Sequence, residues 1–183
     1  MILPVYVVGS PILRKVAEDI DASYPEIKEL ISNMFDTMYF SDGVGLAAPQ
    51  VGKSIRLFVI DASPMAEDYP ELENFKRVFI NANIVERFGE PWSFNEGCLS
   101  IPNLRENVIR EESIRIQYLD ENFQPHEDVF SGVAARVIQH EYDHLEGVLF
   151  IDKLAQIRKR MLQGKVNAIS KGRFSATYKT KLG

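Results

Sequence analysis

At 183 residues, 45% hydrophobic and 26% charged, the chain has the size and composition of one domain with a buried core, which excludes disordered and fibrous classes. Its single cysteine excludes an internal disulfide, no apolar run is long enough to span a bilayer, and Met1 to Val8 lack the basic segment of a signal peptide; the expectation is a cytoplasmic protein with no membrane contact. The net charge of −5 is unevenly spread. Residues 1–152 hold 12 Lys+Arg against 26 Asp+Glu, a balance of −14, whereas residues 153–183 hold 9 Lys+Arg and no acid, a balance of +9.

Ser23-Tyr24-Pro25-Glu26 predicts a helix start, with Pro25 near the first helical position. Ile27, Leu30, Ile31, Met34, Phe35 and Met38 follow at helical spacing and mark a core-facing stripe that stops near Ser41-Asp42-Gly43. After a glycine-rich loop, Ile55 to Ile60 predict a buried strand. The acidic stretch from Met65 to Phe75, which contains Pro70, predicts an exposed loop. Arg77 to Arg87 and Ser113 to Leu119 predict two further strands, and Asp120-Glu121-Asn122 a turn into a strand running towards Phe130. A helix capped by Ser131 and stopped by Gly147 comes next, then a last helix from about Leu154 to Ala168. The element order argues α+β, with largely antiparallel sheets packed around a central helix that carries the histidines described below.

The sharpest local signal is His140-Glu141-Tyr142-Asp143-His144. Two histidines four apart project from one face of a helix and can grip one metal ion, with Glu141 beside them to handle a proton. Cys98, in Glu96-Gly97-Cys98-Leu99-Ser100, offers a thiolate as third ligand. Three protein ligands and an open position suit a catalytic rather than a structural metal, and a soft-plus-imidazole donor set accepts Fe(II), Co(II), Ni(II) or Zn(II). A metal that acidifies water beside a general acid/base implies hydrolysis of an amide. His126, in a polar turn-and-strand segment, is expected at the surface. Asp143 falls on another helix face and is expected either to orient a histidine or arginine or to form a structural ion pair.

Gly43 to Ser54 ends in Gly52-Lys53-Ser54, like a phosphate-binding loop, but the first glycine that motif needs is Ala47 and a strand follows, so no nucleotide cofactor is expected. Small residues here instead allow close approach of another backbone, such as an extended peptide pairing with the loop's edge, and place Gln50 to aim its amide at a developing oxyanion.

Taken together, the glycine-alanine loop ending in Gln50, Glu96-Gly97-Cys98-Leu99-Ser100 and His140-Glu141-Tyr142-Asp143-His144 resemble, in order and separation, the three signature segments of the peptide deformylase family, bacterial-type branch. Likeness continues through Ile101-Pro102 and Leu145 to Phe150. The resemblance implies a mononuclear metalloenzyme that removes the formyl group from the N-terminal methionine of nascent polypeptides. By that resemblance Cys98, His140 and His144 hold the metal, Fe(II) in the cell with Ni(II), Co(II) or Zn(II) able to substitute. Glu141 is the acid/base, and the Gln50 amide and Leu99 N–H stabilise the oxyanion. Val44 and Gly45 flank the peptide, and Val44, Glu96, Val133 and Val137 line the methionine pocket.

Arg136, one turn before His140, departs from the apolar residue common in relatives; its head is expected either to close the pocket entrance or to reach solvent. Residues 1–153 are expected to form the catalytic domain and residues 154–183 a basic helix and tail of the same domain. That tail is either a solvated helix with a frayed end or a contact for a polyanion such as ribosomal RNA. A general zinc peptidase and a metal-dependent binding module are the competing functions; the first leaves Cys98 without a role, the second Glu141.

Overall fold

Strand β1, Val5–Tyr6, opens the computed structural model, which describes residues 1–183. Helix α1, Ile27–Phe40, begins two residues after Pro25, because Glu26 takes a left-handed conformation (φ 56°) that bars it from the first turn. Ile27, Ile31, Met34, Phe35 and Met38 are buried as their spacing predicts, and Leu30 is half-buried. The glycine-rich segment then forms strand β2, Gly45–Ala47, and a 3-10 turn over Ala48–Val51, before strand β3, Leu57–Asp61.

Two strands are much longer than the sequence predicts. Strand β4, Lys76–Cys98, and strand β5, Ile101–Leu119, form one hairpin closed by Leu99 and Ser100, so Cys98 ends a strand at a tight turn. Strand β6, Pro125–Ser131, returns along β5. The five strands lie in the order β2-β3-β4-β5-β6, all antiparallel, which leaves β2 as an edge. Helix α2, Gly132–Leu145, carries both histidines and is followed by Gly147 (φ 73°). Helix α3 spans Gln156–Ser170, and strand β7, Thr180–Lys181, ends the chain.

Alternation along β3 explains the layering. Phe58 and Ile60 point into one apolar cluster, shared with Phe79, Ile116, Ala135, Ile138 and Tyr142 of β4, β5 and α2. Leu57 and Val59 point into another beneath α1, so β3 is covered on both faces. A third cluster joins Val7, Ile101, Leu104 and Phe150 to Leu162 and Ile169 of α3.

Two expectations need correction. The acidic 65–75 segment is not wholly exposed: Leu72 and Phe75 are buried, and 3-10 turns at Ser63–Met65 and Pro70–Leu72 fold it against the first cluster. Nor is the C-terminus frayed. β7 pairs in parallel with β1; the Val5 N–H donates to Lys179 O (2.9 Å) and the Val7 N–H to Lys181 O (3.1 Å). No helix is long and apolar enough to cross a membrane.

Phe79 is fully buried and stacks on Phe58 with ring centroids 4.7 Å apart, and its ring also meets Tyr118 at 4.4 Å. Phe79→Ala is expected to destabilise the fold by about 3–5 kcal/mol in urea unfolding, through lost transfer energy and a residual cavity. A loss below about 1 kcal/mol would contradict the packing described.

Candidate metal centre

Helical spacing places His140 and His144 one turn apart on the same face of α2, and the end of β4 brings Cys98 to them. The ligand atoms of Cys98, His140 and His144 all lie within 4.8 Å of one another, with Cys98 Sγ 3.4 Å from His144 Nε2. Bond lengths near 2.3 Å to sulfur and 2.1 Å to nitrogen in a tetrahedron put those two atoms about 3.6 Å apart, so the spacing suits a shared ion. Burial holds His144 well below the usual imidazole range, which keeps it neutral as a ligand must be. His140 Nδ1 lies 2.9 Å from Glu96 Oε1, and donation of that N–H leaves Nε2 as the free electron pair.

Glu96 is the hub of the site. Only 5% exposed, it accepts two hydrogen bonds from Arg110 (Nε to Oε2, 2.8 Å; Nη2 to Oε1, 3.0 Å) and one from Arg136 Nη1 at 2.9 Å, besides the His140 contact. Burial pushes its pKa up, but the hydrogen bonds from His140 and Arg110 prevail and hold it well below the carboxylate range. Arg110 also donates to Asp143 Oδ2 at 2.7 Å, so Asp143 pairs with an arginine rather than a histidine. Arg136 borders the cleft and does not reach solvent. It is 2% exposed, donates to Val108 O and Trp92 O at 2.9 and 2.6 Å, and packs its guanidinium 4.9 Å from the Trp92 ring centre. Its apolar surroundings are tolerated because Glu96 and two carbonyls meet its N–H groups.

Arg110 is the functional-looking residue that the sequence left unremarked. The signal lay in alternation: Leu104, Val108 and Arg110 share the buried face of β5, which makes an inward arginine conspicuous once the strand is extended beyond Ser113.

Glu141 is buried, and its Oε1 has no hydrogen-bond partner. Burial raises its carboxyl to about 7. An unpartnered buried carboxylate oxygen beside a Cys/His/His cluster fits a site built for a cation and water. A Cβ on Gly45 would lie 2.6 Å from Glu141 Oε2, so the bare face of this glycine receives the Glu141 carboxylate. Gln50 accepts the Ala47 N–H at 2.9 Å through Oε1, which aims Nε2 at Ser100 Oγ (3.1 Å) and Cys98 Sγ (3.5 Å).

These groups border a cleft of about 740 Å³, within the range of ligand sites. Val44, Gly45, Gln50, Glu96, Cys98, Leu99, Val137, His140 and Glu141 line it. His144 sits behind them, fully buried. Val133 does not reach the cleft; it lies in the first apolar cluster, one turn before Val137 on α2. His126 is at the surface, 2.7 Å from Asp120 Oδ2.

Sequence and structure comparisons agree on kinship. The model of the family described as polypeptide deformylase matches residues 2–160. The chain is 52% identical over 189 residues to the peptide deformylase of Christiangramia forsetii and 53% identical over 188 residues to that of Flavobacterium johnsoniae, in each case covering 99% of this chain and 96% of the relative. A crystal structure of a peptide deformylase from Legionella pneumophila is similar with a TM-score of 0.81 at 36% identity, covering 94% of this chain and 98% of that one. A Plasmodium falciparum peptide deformylase is similar with a TM-score of 0.82 at 38% identity, covering 92% and 95%. With the family matched over nearly its whole length and the Cys/His/His cluster assembled at its cleft, the chain belongs to the polypeptide deformylase family.

Proposed function

We propose that this protein is a metal-dependent hydrolase that removes the N-formyl group from the N-terminal methionine of nascent polypeptides and releases formate. The observation that carries the proposal is the convergence of Cys98, His140 and His144 beside the unpartnered Glu141 carboxylate at the wall of one cleft.

Cys98, His140 and His144 are the residues that would hold a divalent ion, Fe(II) in the cell by family resemblance, with Ni(II), Co(II) or Zn(II) as substitutes. When bound, the ion would supply the Lewis acidity that makes water a nucleophile near neutral pH. Glu141 takes the proton from the attacking water and delivers it to the departing amine of methionine. Edge strand β2 offers main-chain groups to an extended peptide, and Val44 and Val137, beside His140, accept the methionine side chain. Gln50 Nε2, fixed by the Ala47 N–H on its other end, and the Leu99 N–H stabilise the oxyanion. One such donor is worth about 3–4 kcal/mol in a transition state.

Residues 1–153 form the catalytic unit in this proposal, with α3 and the tail packed on it as one domain in the cytoplasm. Arg158 already pairs with Glu106 (Nη2 to Oε2, 2.9 Å), and Lys165 donates to Asn103 O at 2.9 Å. Lys171, Arg173, Lys179 and Lys181 remain exposed to offer the ribosome a basic surface.

Formate release from formyl-Met-Ala-Ser by anaerobically purified protein, loaded separately with Fe(II), Ni(II), Co(II) and Zn(II), tests the activity directly. Release from the formylated peptide but not its acetylated analogue is expected; cleavage of internal peptide bonds would indicate a general peptidase instead.

Glu141→Gln is expected to keep its metal and lose at least about 100-fold in turnover, because proton transfer is lost while the ligands stay. Loss of bound metal, measured by elemental analysis, would make Glu141 a ligand. Gly45→Ala adds no backbone strain, since Gly45 is absent from the positive-φ positions, but its methyl must displace Glu141. About 100-fold slower turnover at normal metal content is expected, against full activity if the carboxylate's placement is unimportant.

A further inference from the structure

The turn that joins β4 to β5 contains only Leu99 and Ser100, directly after Cys98. It is braced from three separate parts of the chain. The Val8 N–H donates to Ser100 O at 2.8 Å, Gln50 Nε2 donates to Ser100 Oγ at 3.1 Å, and the Tyr178 hydroxyl donates to Leu99 O at 2.7 Å. The last contact spans 79 residues of sequence and comes from a tail that nothing in the proposed catalysis uses.

The tail reaches this position by design of its anchors. Phe174 packs against the third apolar cluster, as Cys98 also does. Asn103 Nδ2 donates to Ser175 O at 2.7 Å, and beyond Tyr178 the chain is tied to β1 by the bonds to Lys179 and Lys181. Between those anchors, Ser175, Ala176, Thr177 and Tyr178 line the same cleft as Cys98, Leu99 and Glu141. Three of the four are small and exposed, so their backbone stays open to a ligand in the cleft, while Tyr178 is half-buried against the turn.

We propose that residues 175–178 form a fixed wall of the peptide cleft and that Tyr178 is a positioning residue, whose hydroxyl holds the Leu99–Ser100 turn, and with it the Leu99 N–H, in the orientation that oxyanion stabilisation requires. The proposal rests on the deformylase function of the cleft. The hydroxyl fixes the Leu99–Ser100 peptide group directly, and only φ and ψ of Leu99 separate that plane from the one carrying the Leu99 N–H, which Cys98 anchors at the end of β4. Two-residue turns have few other constraints, and donors to a developing oxyanion lose their effect when misdirected.

Tyr178→Phe removes the hydroxyl and keeps the ring. With the Ni(II)-loaded full-length protein, the expected result is a kcat for formyl-Met-Ala-Ser about tenfold lower, the worth of one hydrogen bond, with KM changed less than about twofold. Metal content is expected to stay at the wild-type value, the unfolding midpoint to fall by no more than about 4 °C, and hydrogen–deuterium exchange of residues 97–101 to quicken while α2 stays protected. Wild-type kcat in the variant overturns the positioning role, whether or not exchange quickens. A roughly tenfold loss of bound metal, or a fall in unfolding midpoint well beyond about 4 °C, overturns it too, by making the contact structural. A wild-type protein that releases no formate overturns the deformylase function itself, which is a different outcome from an active wild type with an equally active Tyr178→Phe.

Discussion

A single buried carboxylate, Glu96, holds this site together. Its two oxygens accept from Arg110, Arg136 and His140, and Arg110 in turn binds Asp143. Two carboxylates and two guanidiniums balance, so four ionised groups sit in the interior without a net charge. Each is costly to bury alone, and removal of one partner from such a network typically costs about 3–5 kcal/mol. The network spans β4, β5 and α2, so the same bonds that compensate the charges also fix the helix that carries the histidines against the hairpin that carries Cys98. His140 is thereby locked in one tautomer and one ring orientation, with Nε2 directed to the ligand cluster.

Helix α2 is buried from Val133 to Leu145 although many of its residues are polar. Such a helix is stable only where its polar groups are met, and most are: Gln139 donates to Glu111 O, Asp143 accepts from Arg110, and Arg136 donates three times. Glu141 Oε1 and His144 Nδ1 stand apart as buried atoms with no partner, together with Arg136 Nε. Glu141 lines the cleft, where its carboxylate is placed for the proposed chemistry. Gly45 completes the arrangement from β2, since only a residue without a side chain leaves room for the Glu141 carboxylate.

What the sequence made legible follows from the range of the interactions involved. Helical spacing is local, so α1, α2 and the pairing of His140 with His144 could be read directly, and the joint pattern of three segments pointed to the family. The lengths of β4 and β5 could not, because bulges between Ile80 and Asn83, Ile84 and Glu86, and Phe88 and Pro91 interrupt the two-residue period. The depth of Arg136 was not legible for a related reason. Its burial depends on Glu96, Val108 and Trp92, which lie 28 to 44 residues away. Val133 lies one turn of α2 before Val137, buried in the first apolar cluster and outside the residues that line the cleft. The docking of the tail rests on a two-residue parallel pairing of the chain ends and on single contacts of Phe174, Ser175 and Tyr178 with distant residues, which leave no pattern in composition.

X-ray absorption at the metal edge of the Fe(II)- or Co(II)-loaded protein tests the central claim most directly, that the Glu96 network presents Cys98, His140 and His144 to one ion with a coordination position left open. The account predicts a shell of one sulfur and two imidazole nitrogens with one further light atom, and loss of imidazole order in Glu96→Gln. A shell without sulfur, or one with a third imidazole, would contradict it.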